Sequence, residues 1–126
     1  MPVNVILDTN FLMIPAQFRV DIFEEIKRIM VDPYQLCIFE ATVTELKKVS
    51  EGHGKHSTAA KIALILIKQK NLKILKNSLT TGYVDELILN EKNAIICTQD
   101  AELKKQLKKK HVKIITLKSR EYLVFT

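Results

Sequence analysis

Asp8, Glu45, Asp85 and Asp100 are the residues of this chain whose type and placement suit chemistry done in concert. Asp8 directly follows the apolar run Val3–Leu7, and Asp100 follows Ala94–Cys97 after Thr98 and Gln99. If those runs are strands of a parallel sheet, both acids stand on its carboxyl edge, where open α/β sheets carry their sites. Glu45 and Asp85 fall early on helical stretches that start from that same edge. Carboxylates held close repel one another and raise each other's pKa, so such a cluster needs a cation or shared protons. An oxygen-only donor set suits Mg²⁺ or Mn²⁺.

Each acid taken alone has a structural use. Asp8 and Asp100 can cap a loop or a following helix. Asp85 sits in a first helical turn, where the macrodipole favours negative charge. Thr42 and Glu45 fit a Thr-x-x-Glu capping box. The set of four, not any single member, points to a site. His53 and His56 flank Gly54-Lys55 in a glycine-bearing loop and read as solvated, and His111 follows the basic run Lys108-Lys109-Lys110. There is no Gly-x-Gly-x-x-Gly or phosphate-binding Lys loop, and no Ser-His-Asp arrangement.

The elements that must position these acids are legible as alternation. Strands are expected at Val3–Leu7, Gln35–Phe39, Leu72–Leu75, Ala94–Cys97 and Lys113–Leu117. Between them, Pro15 breaks the chain and a helical stripe starts at Phe18 and closes at Pro33, with Ile22, Phe23, Ile26, Ile29 and Met30 on one face. Thr42 opens a helix to Lys48 or Val49, Ser57 caps an apolar helix, Thr81-Gly82 leads into a helix through Leu89, and Ala101–Lys109 forms the last. Tyr122–Phe125 is apolar enough to dock as an edge strand or a partner contact. Strands alternating with helices imply right-handed crossovers and a mostly parallel sheet in a single domain, residues 1–126.

Composition sets the outer limits. The hydrophobic fraction of 47% over 126 residues is that of a globular domain, not a disordered tail. No apolar run approaches the roughly 20 residues of a membrane span, and the amino-terminal segment lacks a signal-peptide pattern. Cys37 and Cys97 both lie inside expected strands without a Cys-x-x-Cys pattern, which indicates buried thiols and a reducing, cytoplasmic setting. The formal charge of +6 admits either a solvated Lys-rich surface or a field that attracts a polyanion. Lys104, Lys105, Lys108 and Lys109 share one side of the last helix, with Leu103 and Leu107 toward the core, and form a candidate phosphate track.

Asp8-Thr9-Asn10-Phe11-Leu12, Val43-Thr44-Glu45-Leu46, Tyr83-Val84-Asp85-Glu86 and Thr98-Gln99-Asp100-Ala101-Glu102-Leu103-Lys104-Lys105 together resemble a PIN domain, over nearly the whole chain. Within that superfamily the chain is most similar to the branch that processes small-subunit ribosomal RNA precursors, and to its archaeal relatives. The resemblance implies a three-layer α/β/α fold with strand order 3-2-1-4-5, which sets Asp8 beside Asp100. It also implies a Mg²⁺- or Mn²⁺-dependent endoribonuclease that leaves a 5′-phosphate and a 3′-hydroxyl. Asp8, Glu45, Asp85 and Asp100 then match the metal-site acids, and Asn10 and Thr98 the polar residues that orient them. Glu86 and Glu102 stand where the branch commonly has Asp, keeping the charge on a longer arm. The implied partner is RNA, with a second copy of the chain or an assembly factor as further candidates. VapC-type toxin ribonucleases share the superfamily and are the alternative, with a catalytically inactive scaffold for RNA or ribosome assembly as a third reading. A receiver-like regulator would use Asp8 and Lys118, but Leu75-Lys76-Asn77-Ser78 offers it no phospho-acceptor Asp.

Overall fold

The computed structural model describes residues 2–76 and 83–126. Its strands are β1 (Val3–Leu7), β2 (Tyr34–Phe39), β3 (Lys73–Leu75), β4 (Ala94–Cys97), β5 (Ile114–Lys118) and β6 (Tyr122–Phe125). Among the described residues they form a six-stranded sheet in the order 3-2-1-4-5-6, parallel except for the antiparallel β6. The strand order expected from the resemblance is therefore present, extended by the carboxy-terminal edge strand.

Helices cover both faces. A 3-10 turn (Phe11–Met13), α1 (Ile14–Phe18), α2 (Ile22–Ile29), α3 (Glu40–Ser50) and α4 (Lys55–Gln69) lie on one face. They bury Val5, Leu7, Ile38, Cys97 and Ile115 beneath Phe11, Ile22, Leu46 and Ala63. On the other face α5 (Val84–Leu89) and α6 (Ala101–Lys109) close over Ile6, Phe39, Ile96 and Ile114 through Leu87, Leu103 and Leu107. Residues next to one another in a strand thus serve opposite cores, as the pleat requires. The crossovers change face between β1 and β4, so the sheet has its topological switch point there.

Several local expectations need correction. Pro15 does not break the chain: it stands in the first turn of α1, where its missing N–H costs nothing. The break comes at Arg19, which ends α1 in the left-handed region (φ 56°), and Asp21 then caps α2 by accepting from the Phe23 and Glu24 amides. The amphipathic helix therefore begins at Ile22 rather than Phe18, and it ends at Ile29, before Pro33. Thr42 is not a cap, because α3 starts directly from β2 at Glu40 and Thr42 lies buried inside it. Ser57 is likewise buried within α4, whose N-cap is Gly54 (φ 95°). The lead-in at Thr81-Gly82 and the residues Asn77-Ser78 lie outside the described residues. Both cysteines are free and buried, and among the described residues no helix is long and apolar enough to cross a membrane.

Candidate metal centre at the carboxyl edge

β1 and β4 pair in register, Leu7 opposite Cys97, and the Asp8 amide continues the ladder by donating to the Cys97 carbonyl at 3.0 Å. This pairing puts Asp8 and Thr98 side by side just past the strand ends. The Thr98 hydroxyl donates to Asp8 Oδ2 at 2.9 Å, while the Thr9 amide donates to Asp8 Oδ1 at 2.7 Å. Thr98 Oγ1 also accepts from the Asp100 amide at 3.2 Å, and Asp100 Oδ1 caps α6 by accepting from the Leu103 amide at 2.8 Å. One buried hydroxyl thus fixes two acids. The cap role expected for Asp100 is real, and it engages Oδ1.

Glu45 is half-buried in the middle of α3, one turn beyond Thr42. The capping box that would have satisfied it does not exist. Thr9 takes its place: its hydroxyl lies 3.4 Å from the Thr42 hydroxyl, and its hydrogen bond draws the Glu45 pKa down against larger opposing effects. Asp85 is exposed in the first turn of α5, with Glu86 exposed beside it.

Electrostatics join the four acids. Burial pushes the Asp8 carboxyl up, the Thr98 hydrogen bond opposes this, and the charges of Asp85 and Asp100 push it further up. Burial raises Glu45, and the charges of Asp8 and Asp85 add to it. Asp85 is raised by partial burial and by Asp100. Asp8, Asp85 and Asp100 thus each raise at least one other acid, and Glu45 feels Asp8 and Asp85, so the four lie within electrostatic reach of one another. Among the described residues, however, no three His, Cys, Asp or Glu side chains are grouped closely enough to hold a metal ion. The donor chemistry is oxygen throughout, and its mutual repulsion is what a divalent cation would relieve.

Other expected residues are placed less centrally. Asn10 is exposed and leads into the 3-10 turn without a side-chain cap. Glu102 is exposed on α6 and accepts from Gln106 Nε2 at 3.4 Å, along the helix. Among the lysines of α6, half-buried Lys104 reaches Thr116 Oγ1 and exposed Lys108 reaches Thr126 Oγ1, each at 3.4 Å, and Lys105 and Lys109 are also exposed. Thr9, Thr42 and Gln99 have positions that their residue types did not announce. Gln99 Oε1 accepts from the Thr116 hydroxyl at 2.5 Å and the Leu117 amide at 2.6 Å, pinning the Asp100 loop to β5. A cleft of about 640 Å³ lies at the amino edge of the sheet, against Val3 and Ala94 at the starts of β1 and β4 and Lys113 just before β5.

Residues 5–120 match a family model described as a PIN-like domain. The chain is 29% identical to ribonuclease VapC4 of Methanocaldococcus jannaschii over 94% of its own length and 93% of that protein. It is 27% identical to the rRNA-processing protein fcf1 of Schizosaccharomyces pombe and 29% identical to FCF1 of Saccharomyces cerevisiae, each over 86% of its length. It spans only 55% and 56% of those two yeast proteins. A solved structure of the PIN domain endonuclease Utp24 superposes with a TM-score of 0.81 at 25% identity, covering 98% of this chain and 91% of that one.

Proposed function

The chain belongs to the PIN-like domain family, and on that footing we propose that it is a Mg²⁺- or Mn²⁺-dependent endoribonuclease, a single domain over residues 1–126. The observation that carries this reading is the buried Asp8 carboxylate just past β1, held by Thr98 and Thr9 and raised first by burial and then by the charges of Asp85 and Asp100. Asp8 and Asp100 would hold the cation, with Glu45 and Asp85 completing its surroundings. When bound, the ion supplies an acidified water for attack on phosphorus and relief of charge on the phosphoryl oxygens.

The chain's own side chains have separate tasks. Thr98 keeps Asp8 and Asp100 in a fixed mutual position, so little ordering of these groups remains when a substrate arrives. Thr9 does the same between Asp8 and Glu45. The lysines on α6 attract and seat the phosphate backbone close to Asp100. Precursor ribosomal RNA is the substrate this reading favours, supported by the superposition on Utp24 and the matches to the yeast rRNA-processing proteins. A toxin-type ribonuclease is the second reading, supported by the end-to-end match to VapC4.

Single-turnover cleavage of a structured ribosomal precursor RNA, with Mn²⁺ and an EDTA control, tests the proposal. Wild type should cleave only with metal, and Asp8→Asn and Asp100→Asn should lose most of the rate while still folding. Glu102→Gln should lose far less. Cleavage by Asp8→Asn at the wild-type rate would overturn the site. Tight RNA binding with no cleavage by wild type would make the protein a scaffold.

A further inference from the structure

The sheet extends beyond the helices on one side. α6 lies over β4 and β5, and among the described residues no helix covers the same face of β6. Ile114 points into the core beneath α6, so Thr116 and Lys118, two and four residues on, point to that face as well. The register pairs Thr116 with Val124 and Lys118 with Tyr122, and side chains paired across strands share a face. The uncovered surface therefore carries Lys118, Tyr122 and the half-buried Val124, while Thr116, on the same face, is buried beneath Lys104 and Gln99. Lys104 and Lys108 border it, held over it by their contacts to Thr116 and Thr126. Tyr122 is 37% exposed and Lys118 is exposed.

Charge and position decide what fits. Lys104, Lys108 and Lys118 give this face three cations, while Glu102 is engaged with Gln106 on the opposite flank of α6. One end of the face joins the acid rim directly, because Gln99, adjacent to Asp100, is bonded to Thr116 and Leu117. From there β5 continues past the carboxyl edge to Lys118. A polyanion leaving Asp100 over Gln99 meets Lys104 first, then Lys118 and the Tyr122 ring one residue pair further on. Cations that track a backbone beside an aromatic ring that can stack on a base are the two elements of single-strand recognition. We propose that the outer β5–β6 face is the track for single-stranded RNA running from the acid rim, with Tyr122 as a base-stacking platform. This rests on the ribonuclease reading for its substrate class, but binding can be measured without cleavage.

The test uses the full chain in EDTA with a fluorescein-labelled 12-nucleotide single-stranded RNA of mixed sequence, read by anisotropy. Tyr122→Leu keeps apolar packing on the strand and removes the ring, and Tyr122→Phe keeps the ring. The Leu variant should bind about tenfold more weakly, the scale of one lost base–aromatic stack, and Phe should bind nearly as wild type. Lys118→Ala should flatten the slope of log K against log salt by about 0.7. Thermal melts verify that each variant is folded. Wild-type affinity and salt slope in both Tyr122→Leu and Lys118→Ala, or absence of RNA binding by wild type, would overturn the track. The two ideas fail separately: cleavage that survives with an unaltered affinity in these variants removes the track and leaves the nuclease, and track-dependent binding without cleavage does the reverse.

Discussion

The Thr98 hydroxyl serves two neighbours at once, as donor to Asp8 and acceptor from the Asp100 amide, and it is fully buried. Thr98→Val keeps the shape but leaves a buried carboxylate oxygen and an amide without their partner. A hydrogen bond to a charged group contributes about 1.5–3 kcal/mol, so urea unfolding at neutral pH should show a loss of about 2 kcal/mol. Thr98→Ser should recover most of it. A Val variant as stable as wild type would mean that the hydroxyl is replaceable by water, and that Asp8 is not held as described. Cys97, three residues before Asp100, is inert for the opposite reason. It is completely buried, and burial pushes its thiol far above the ordinary 9.0. Since only the thiolate reacts, iodoacetamide should label Cys97 only at the rate of unfolding. Peptide mass spectrometry across a urea series checks this, and rapid labelling in native buffer would contradict the burial.

β6 is one of the sheet's two edges, and unpaired edges invite association. Two side chains of α2 close it at its centre. Glu25 Oε1 accepts from the Leu123 amide and Arg28 donates to the Leu123 carbonyl, both at 3.0 Å, while Arg28 also pairs with Glu25. The Arg28 hydrogen bond, then the Leu123 amide, hold the Glu25 carboxyl below its ordinary value. The sign follows from linkage: a carboxyl lowered by folding adds stability above its unfolded pKa and loses it as pH falls through the folded value. Wild type should therefore lose stability on acidification below about pH 4.5 more steeply than Glu25→Gln. Chemical denaturation at several acidic pH values measures the difference, and parallel curves would remove Glu25 from the clamp. Legibility at this scale divides the same way. Val3–Leu7, Ala94–Cys97 and Ala101–Lys109 were readable to the residue because hydrophobic period and caps agree there. The starts of α2 and α3 were not, because Arg19 turns left-handed before α2 and α3 follows β2 without a connecting loop, and neither junction carries a pattern in residue type. The Glu25–Leu123 clamp spans 98 positions, with no local signal at all.

The candidate site belongs to no single element. Asp8 follows β1, Glu45 rides on α3, Asp85 opens α5 and Asp100 caps α6, so any site they share depends on the tertiary fold. Alternating strands and helices foretold a parallel sheet, but the order 3-2-1-4-5 came from likeness to a family, since periodicity does not say which strands are neighbours. What the pattern did carry is physical: acids at carboxyl ends of parallel strands share one edge of the sheet, and meet where the strands are neighbours, as β1 and β4 are. Their meeting costs stability, because partial burial and then Asp100 raise the Asp85 carboxyl. Asp85→Asn should therefore raise the melting temperature in EDTA. With a site that binds Mn²⁺, the ranking should reverse. A ligand at a hundred times its Kd stabilises the folded state by about 2.7 kcal/mol, which is several degrees for a domain of this size. Wild type should gain that in Mn²⁺ and the Asp85 variant much less, so the two melting curves should exchange order between EDTA and saturating metal. Differential scanning calorimetry in both buffers reads this without any assay of cleavage. Equal shifts in the two proteins would show that Mn²⁺ acts elsewhere. A variant less stable than wild type in EDTA would show that Asp85 contributes to the fold through its charge, and not to a site held together against repulsion.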